Sequence, residues 1–269
     1  MWYALIGAAL LILLYLLSLR GRTRHPLLRK LRRWKYAHRG LHGNGIPENS
    51  MAAFRLALER GYGIELDVHL LADGNLAVIH DTSLLRTAGV NVCIEDLTTQ
   101  DLSNYHLEGT AETIPTLQQI LELCEGKTPL IVELKSYEHN HNALAETACR
   151  MLKNYDGLYC MESFDPRCVR WLMKNRPDIV RGQLAHNSLH DKQSKVPLSL
   201  RFVMTNLLSN FWNRPDFIAY AFEHRQRLSV RLARRLWKIQ GVAWTIRNQA
   251  DFDTAVQENW IPIFESFEP

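Results

Sequence analysis

From Lys35 onward, short apolar runs alternate with amphipathic stretches, and this alternation restricts the chain to a small set of architectures. Runs at 35–38, 64–68, 76–79, 130–134, 158–161, 179–183, 217–221, 241–245 and 261–264 have the length and content of strands. Stretches at 50–60, 116–124, 142–153, 167–175, 224–239 and 250–258 space their apolar residues at a helical period. A helix between two strands carries the chain back to the end it started from, so successive strands pair in parallel and the helices cover the sheet. The strand count and the length of 269 residues fit an α/β fold, a TIM (β/α)8 barrel with small insertions over residues 36–269, better than a doubly wound sheet. Two stretches interrupt the rhythm. Residues 81–115 read as loop with one short helix. Residues 187–215 carry Leu198, Leu200, Phe202, Val203, Leu207, Leu208, Phe211 and Trp212, too apolar for a solvated loop. A packed excursion is expected there, with a lid that touches lipid as the alternative.

Ahead of the barrel, Trp2 to Leu19 contains no charged residue. Eighteen helical residues rise roughly 27 Å, close to the ~30 Å hydrocarbon core of a bilayer. Nothing positive precedes the run and arginines follow at once, the reverse of a cleaved signal peptide. One N-terminal transmembrane helix over residues 1–19 is therefore expected. Arg20, Arg22, Arg24, Arg29, Lys30, Arg32, Arg33 and Lys35 follow with no acid before Glu48. Positive flanks stay on the cytoplasmic side, so a single-pass membrane protein with its barrel in the cytoplasm is expected. Within this basic juxtamembrane segment, residues 20–35, Pro26 can open a short helix. Leu27, Leu28, Leu31 and Trp34 would then form a lipid-facing stripe flanked by cations.

The net charge of +4 misleads as an average. Eight of the 32 Lys and Arg residues and none of the 28 acids fall in the first 35 positions, leaving 24 bases against 28 acids in the barrel. That partition points to an anionic membrane surface as partner and away from nucleic acid. The five cysteines are odd in number, irregularly spaced and without a Cys-x-x-Cys pair, which excludes a disulfide framework or a structural zinc site and leaves reduced thiols.

Chemistry concentrates on the strands. On Ile64-Glu65-Leu66-Asp67-Val68 the two carboxylates share one face and the apolar residues the other. If the apolar face lies under helices, both carboxylates enter the barrel. There they repel one another unless a divalent cation joins them, and oxygen ligands suit Ca²⁺ or Mg²⁺. The pattern recurs at 130–135, where Glu133 offers a third oxygen and Lys135 a point charge for a phosphate. His38-Arg39 ends the first strand and His80-Asp81 follows another. In a parallel barrel all strand C-termini open on one face, so these groups should meet at one mouth.

The run from Tyr36 to Gly89 contains AHRG, PENS, IELDVHLLADG, VIHD and LLRTAG, and IPTL, VELK, SFDP and WTIR follow at 114–117, 132–135, 163–166 and 244–247. In this order the motifs resemble the glycerophosphodiester phosphodiesterase family, over about residues 36–269. The resemblance implies a TIM barrel and metal-dependent hydrolysis of glycerophosphodiesters to sn-glycerol 3-phosphate and an alcohol. It implies Glu65, Asp67 and Glu133 as ligands of Ca²⁺ or Mg²⁺, and His38 and His80 as the acid–base pair. Arg39 and Lys135 would bind phosphate, Trp244 would pack near the substrate, and Glu48 would support the site by hydrogen bonding. The sequence departs from the family at Ser50, where Thr is common, at 88–91, and in its ending, where Glu265 stands near a usual Asp. His42, His69 and His106 have no role in that pattern, and surface or packing positions are expected for them. Two other readings remain: lysophospholipase D-like hydrolysis of membrane lysophospholipids, and a non-catalytic membrane-bound binding module.

Overall fold

In the computed structural model, which describes residues 1–189, 191 and 196–269, all nine expected strands form. They are β1 (Tyr36–Ala37), β2 (Gly63–Leu70), β3 (Leu76–Val78), β4 (Leu130–Leu134), β5 (Tyr159–Ser163), β6 (Val180–Ala185), β7 (Phe217–Ala221), β8 (Gln240–Ile246) and β9 (Trp260–Phe264). Eight of them pair in parallel in the order β1-β2-β4-β5-β6-β7-β8-β9, and β9 closes on β1. The ninth, β3, pairs antiparallel with β2 outside this ring. The 71–75 connection between them is too short for a crossover, so a hairpin is the only pairing open to it. The result is a TIM barrel with one extra strand.

The helices among the described residues are α1 (Trp2–Ser18), α2 (Leu28–Leu31), α3 (Met51–Glu59), α4 (Leu85–Ala88), α5 (Leu117–Cys124), α6 (His141–Leu152), α7 (Pro166–Asn175), α8 (Leu198–Thr205), α9 (Asn210–Asn213), α10 (Leu228–Leu236) and α11 (Gln249–Gln257). Their starts are written in the sequence. Ser50 Oγ accepts from Ala53 N, Thr116 and Gln119 form a reciprocal capping box, and Asp165 caps a helix opened by Pro166. The expected 224–239 helix is shorter, because a 3₁₀ turn at Phe222–His224 precedes α10.

Outward strand residues such as Leu66, Val132 and Met161 pack under the helices. Inward residues fill the lower half of the barrel: Tyr36, Ile131, Cys160, Val180, Phe217, Val242, Ile261 and Ile263. Phe217 lies across β6 because Gly182 leaves room for it; a Cβ there would stand 2.1 Å from the ring. A separate small core, including Leu71, Ile79, Leu84, Ile94 and Leu107, supports the 81–115 excursion, which holds α4 and three 3₁₀ turns. The 187–215 segment is split between two environments. Leu207 and Asn210 are buried, whereas Leu198, Leu200, Phe202 and Phe211 are exposed.

Two expectations about the first 35 residues are corrected. The apolar run forms a helix of 17 residues, about 26 Å long. Among the described residues no helix is long and apolar enough to cross a membrane. The helix stops at Ser18 because the chain turns into the barrel. Leu19 is fully buried, Asn210 Nδ2 donates to its carbonyl, and Trp237 Nε1 donates to Leu16 O at 2.7 Å. The apolar stripe of the basic segment does not face lipid either. Leu28 and Leu31 are buried against the inward residues and seal the closed end of the barrel, with Leu27 and Trp34 packed beside them. Not every cation of the segment is free. Arg22 makes a bidentate pair with buried Asp216 at 2.6 Å and donates to the carbonyls of Pro177 and Ile179, stapling the segment to the starts of β6 and β7. Arg24, Arg29, Lys30, Arg32 and Arg33 remain exposed.

Because Leu31 is a stopper in a dry interior, Leu31→Ala is expected to cost about 2–4 kcal/mol in a denaturant titration. Arg33→Ala, two residues away and exposed, should change stability by less than about 0.5 kcal/mol.

Candidate active site

The mouth at the C-terminal ends of the strands is polar where the other end is dry, and strand register explains why. Asp67 of β2 lies opposite Glu133 of β4, and Glu133 lies opposite Glu162 of β5. Alternation along each strand then turns all three inward at one level, with Glu65 two residues earlier on β2. Glu65, Asp67, Glu133 and Glu162 are all buried. Oxygen atoms of Glu65, Asp67 and Glu133 lie within 4.8 Å of one another.

Few protein groups compensate this charge. Lys135 Nζ stands 2.8 Å from Glu133 Oε1 and 3.1 Å from Asp67 Oδ1. Arg39 contributes its backbone N–H to Glu65 Oε2 at 3.0 Å and its Nε at 3.3 Å from Asp67 Oδ2. Asn49 Nδ2 donates to Asp67 Oδ2 at 2.9 Å. Burial raises all four carboxyl groups, and the balance differs by neighbour. Glu65 is held well above the usual range by burial and then by the charges of Asp67, Glu133 and Glu162. Glu133 is pushed up to about 7 by burial, which outweighs the opposing pull of Lys135. Asp67 alone falls below its ordinary value, because Lys135, His80, Arg39 and His38 together outweigh its burial. Glu162 is raised well above its usual range by burial and by Glu133 and Asp67.

The residues fit a divalent cation. Asp67 Oδ1, Glu133 Oε1 and Glu162 Oε2 are buried without an aligned hydrogen bond, despite the nearby ammonium. Oxygen-only donors with this negative charge suit Ca²⁺ or Mg²⁺. Glu65, Asp67 and Glu133 are the set that can hold it.

Around this cluster the two histidines are anchored alike. His38 Nδ1 is 2.6 Å from Glu265 Oε2, and His80 Nδ1 is 2.7 Å from Asp81 Oδ1. A carboxylate only accepts, so each Nδ1 carries hydrogen and each Nε2 is left for the site. Burial lowers both imidazoles, His80 to about 4, while Glu265 pulls His38 back up and Asp67 with Asp81 does the same for His80. Glu48 accepts from Arg39 Nη1 at 2.9 Å and from Arg86 Nη2 at 2.6 Å, and Arg86 also reaches Asp81. This ties the PEN segment to His80. The close turn at 38–40 requires Gly40, whose φ is +79° and where a Cβ would meet Ala53 at 2.8 Å.

A cavity of about 140 Å³ joins these groups, lined by His38, Arg39, Glu65, His80, Glu133 and Glu162, with Phe164, Leu184 and Trp244 on its apolar side. Phe164 and Trp244 meet edge to face at 5.5 Å. Every residue singled out from the sequence thus falls in or beside one mouth. Two were missed. Glu162 follows the same inward alternation as Glu133, but the strand read at 158–161 ended one residue short of it. Glu265 lay one residue past the last expected strand. His42 is also drawn in, 3.7 Å from Glu265. His69 is a packing residue, 2.6 Å from Glu95 and 3.2 Å from the His80 carbonyl, and His106 is exposed.

Comparison with known proteins agrees with this geometry. The sequence matches the Glycerophosphoryl diester phosphodiesterase family over residues 38–264. A glycerophosphodiester phosphodiesterase of Bacillus altitudinis is 34% identical over 166 residues, covering 58% of this chain and 67% of the relative. A lysophospholipase D of Rattus norvegicus is 34% identical over 132 residues, covering 44% of this chain and 40% of the relative. Among solved structures, a phosphodiesterase of Oleispira antarctica in complex with sn-glycerol 3-phosphate superposes with a TM-score of 0.70 at 22% identity, covering 86% of this chain and 92% of that one. A glycerophosphodiester phosphodiesterase of Thermotoga maritima gives 0.65 at 23%, with coverage of 86% and 92%.

A cation that joins the carboxylates only in the folded state must stabilise that state. Excess Ca²⁺ or Mg²⁺ is expected to raise the melting temperature of the wild type, and chelator to lower it. Asp67→Asn, which removes one ligand charge, should melt at the same temperature with and without the metal.

Proposed function

The chain belongs to the glycerophosphoryl diester phosphodiesterase family, and on that premise we propose that it hydrolyses glycerophosphodiesters to sn-glycerol 3-phosphate and an alcohol, with His38 and His80 as the acid–base pair. The observation that carries the proposal is the pair of imidazoles, each fixed through Nδ1 to a carboxylate and facing a cavity lined by the acidic cluster. The reaction is that of a phosphoric diester hydrolase.

The residues divide the work by their chemistry. Arg39 and Lys135 bind the phosphodiester oxygens and oppose the charge that grows on them during attack. The free glycerol hydroxyl attacks phosphorus, and one neutral imidazole accepts its proton at Nε2. The bond from phosphorus to the alcohol oxygen breaks, and the other histidine, which enters the step as an imidazolium, donates the proton on its Nε2 to the departing oxygen. A cyclic glycerol phosphate results, and water opens it with the two histidines exchanging roles. Glu265 and Asp81 hold the rings and favour the imidazolium that forms on each. Glu48 fixes Arg39, and Trp244 with Phe164 shields one side of the cavity. A divalent metal held by Glu65, Asp67 and Glu133 would supply further stabilisation of negative charge on phosphate.

A second reading rests on a groove beside the mouth. A largely apolar hollow of about 620 Å³ is lined by Phe164, Ala185, Leu200 and Met204, among others, and shares Phe164 with the catalytic cavity. A single acyl chain fits its chemistry, which favours lysophospholipids as additional substrates. A non-catalytic module has no use for two imidazole–carboxylate pairs converging on one cavity.

Attachment to a membrane is part of the proposal. The first fourteen residues of the chain are exposed, and Trp2, Leu5, Ile6, Leu10, Leu11, Ile12, Leu13 and Leu14 present apolar surface to their surroundings. A surface of this kind is stable when it enters lipid. The exposed cations of the segment after it then meet the anionic cytoplasmic leaflet, which places the barrel on that side.

In an assay of sn-glycerol 3-phosphate release across a panel of glycerophosphodiesters, His38→Ala and His80→Ala are each expected to lose about 10²–10⁴-fold in rate. Wild type that releases none, with Ca²⁺ and Mg²⁺ supplied, overturns the reading. Met204→Asp should depress turnover of a lysophospholipid several-fold and leave a water-soluble diester unaffected; equal effects on both remove the second reading.

A further inference from the structure

A basic cleft of about 520 Å³ lies between α10 and the end of α11 and shares no lining residue with the catalytic cavity. Its lining includes six cations, Arg32, Arg225, Arg231, Arg234, Arg235 and Lys238, and one acid, Glu258. Glu258 is already engaged, with Arg225 Nε at 3.2 Å and Trp260 Nε1 at 3.1 Å. The other five cations have no carboxylate partner among the described residues.

Arg234 shows that the charge is built into the fold. Its guanidinium stacks 3.9 Å from the Trp260 ring and donates to the carbonyls of Glu258 and Asn259, at the carbonyl-rich end of α11. Burial lowers its pKa to about 10, against the opposing charge of Glu258 and with Arg32 adding to the effect. A half-buried cation held beside other cations gains from an anion that reaches it. Arg231, Arg235 and Lys238 are exposed around it and extend the field outward.

The place of the cleft names the anion. Arg32 belongs to the segment that seals the closed end, and Lys238 and Gln240 lead into the start of β8 at that same end. Between Arg235 and Lys238, Trp237 donates to Leu16 O and carries the Arg20 guanidinium 5.4 Å over its ring. The last turn of α10 therefore joins the cleft to the docked end of the apolar helix α1.

We propose that this cleft binds the headgroups of anionic phospholipids, so that the closed end of the barrel rests on an anionic bilayer while α1 enters it. The inference rests on the membrane attachment proposed above and adds to it a recognition surface on α10. Such seating puts the catalytic mouth at the end of the strands away from the bilayer, an arrangement that suits a phosphodiester arriving from solution.

The full chain is tested by co-sedimentation with vesicles of phosphatidylcholine alone and of phosphatidylcholine mixed with phosphatidylglycerol. Wild type should bind both and prefer the mixed vesicles, with the preference falling as salt rises. Each basic residue at an anionic surface is worth roughly fivefold in affinity. Arg231→Ala combined with Arg235→Ala should therefore weaken binding to mixed vesicles about 25-fold. Binding to neutral vesicles, the melting temperature and the rate on a soluble diester should stay unchanged. Lys238→Glu should act in the same direction. A double variant that keeps the full preference for phosphatidylglycerol overturns the cleft and leaves membrane attachment standing. Wild type that binds neither vesicle overturns attachment and the cleft together. Cleft variants that lose binding to short RNA, with vesicle binding untouched, assign the surface to nucleic acid and overturn the proposal.

Discussion

Four carboxylates share the interior of one barrel mouth, and the cost of holding them there governs the arrangement around it. Glu65, Asp67, Glu133 and Glu162 are buried, and a single ammonium and one guanidinium face them directly. Like charges at this spacing cannot all ionise without a counter-charge. The protein answers in two ways. It brings Lys135, Arg39 and Asn49 onto Asp67, and it leaves Asp67 Oδ1 and Glu133 Oε1 to share one ammonium and Glu162 Oε2 without a partner, a state that a divalent cation relieves. A site with this much unspent negative potential suits a reaction whose substrate carries a negative phosphate only if cations mediate between them, which is the role open to Arg39 and Lys135.

Such a polar mouth needs a rigid support, and the lower barrel supplies it. Tyr36, Phe217, Ile131 and Ile263 fill that half, Leu28 with Leu31 closes it from below, and the Tyr36 hydroxyl donates to the Leu31 carbonyl. The segment that closes it is also the one that carries the dense positive charge. One short stretch thus does two jobs that looked like one from its composition. Its leucines belong to the interior of the barrel, one of its arginines to a buried ion pair, and its remaining cations to the surface.

The residues of the candidate site were largely legible in the chain. HRG, HD and VELK each sit at the end of a strand or just after one, E-x-D lies within β2, and PEN stands just ahead of α3. Period-two alternation, applied to those strands, already turns His38, Glu65, Asp67 and Glu133 to one side. The same rule reaches Glu162 once β5 is given its true length, and it was overlooked because an apolar run ends before its strand does; Glu265 lies just past the end of β9, where the alternation continues beyond the strand. Hydrogen bonding continues past the last hydrophobic residue, and composition does not record that. The antiparallel position of β3 was hidden for a similar reason, since an apolar run carries no direction.

The sequence by itself determined the α/β architecture, the set of groups gathered at the mouth and the division between a basic start and an acidic barrel. Those follow from local periodicity and from charge along the chain. Only the tertiary structure decided what each N-terminal residue faces. A leucine stripe flanked by arginines satisfies a lipid surface or the open end of a barrel equally well, because both are apolar planes ringed by polar groups. The choice was made by the apolar interior around Ile131 and Phe217 and by Asp216 at the start of β7, all far from residues 20–35 in the chain. The gathering of Arg231, Arg234, Arg235 and Lys238 with Arg32 beside the docked α1 is of the same kind, a contact between distant segments that packing alone brings together.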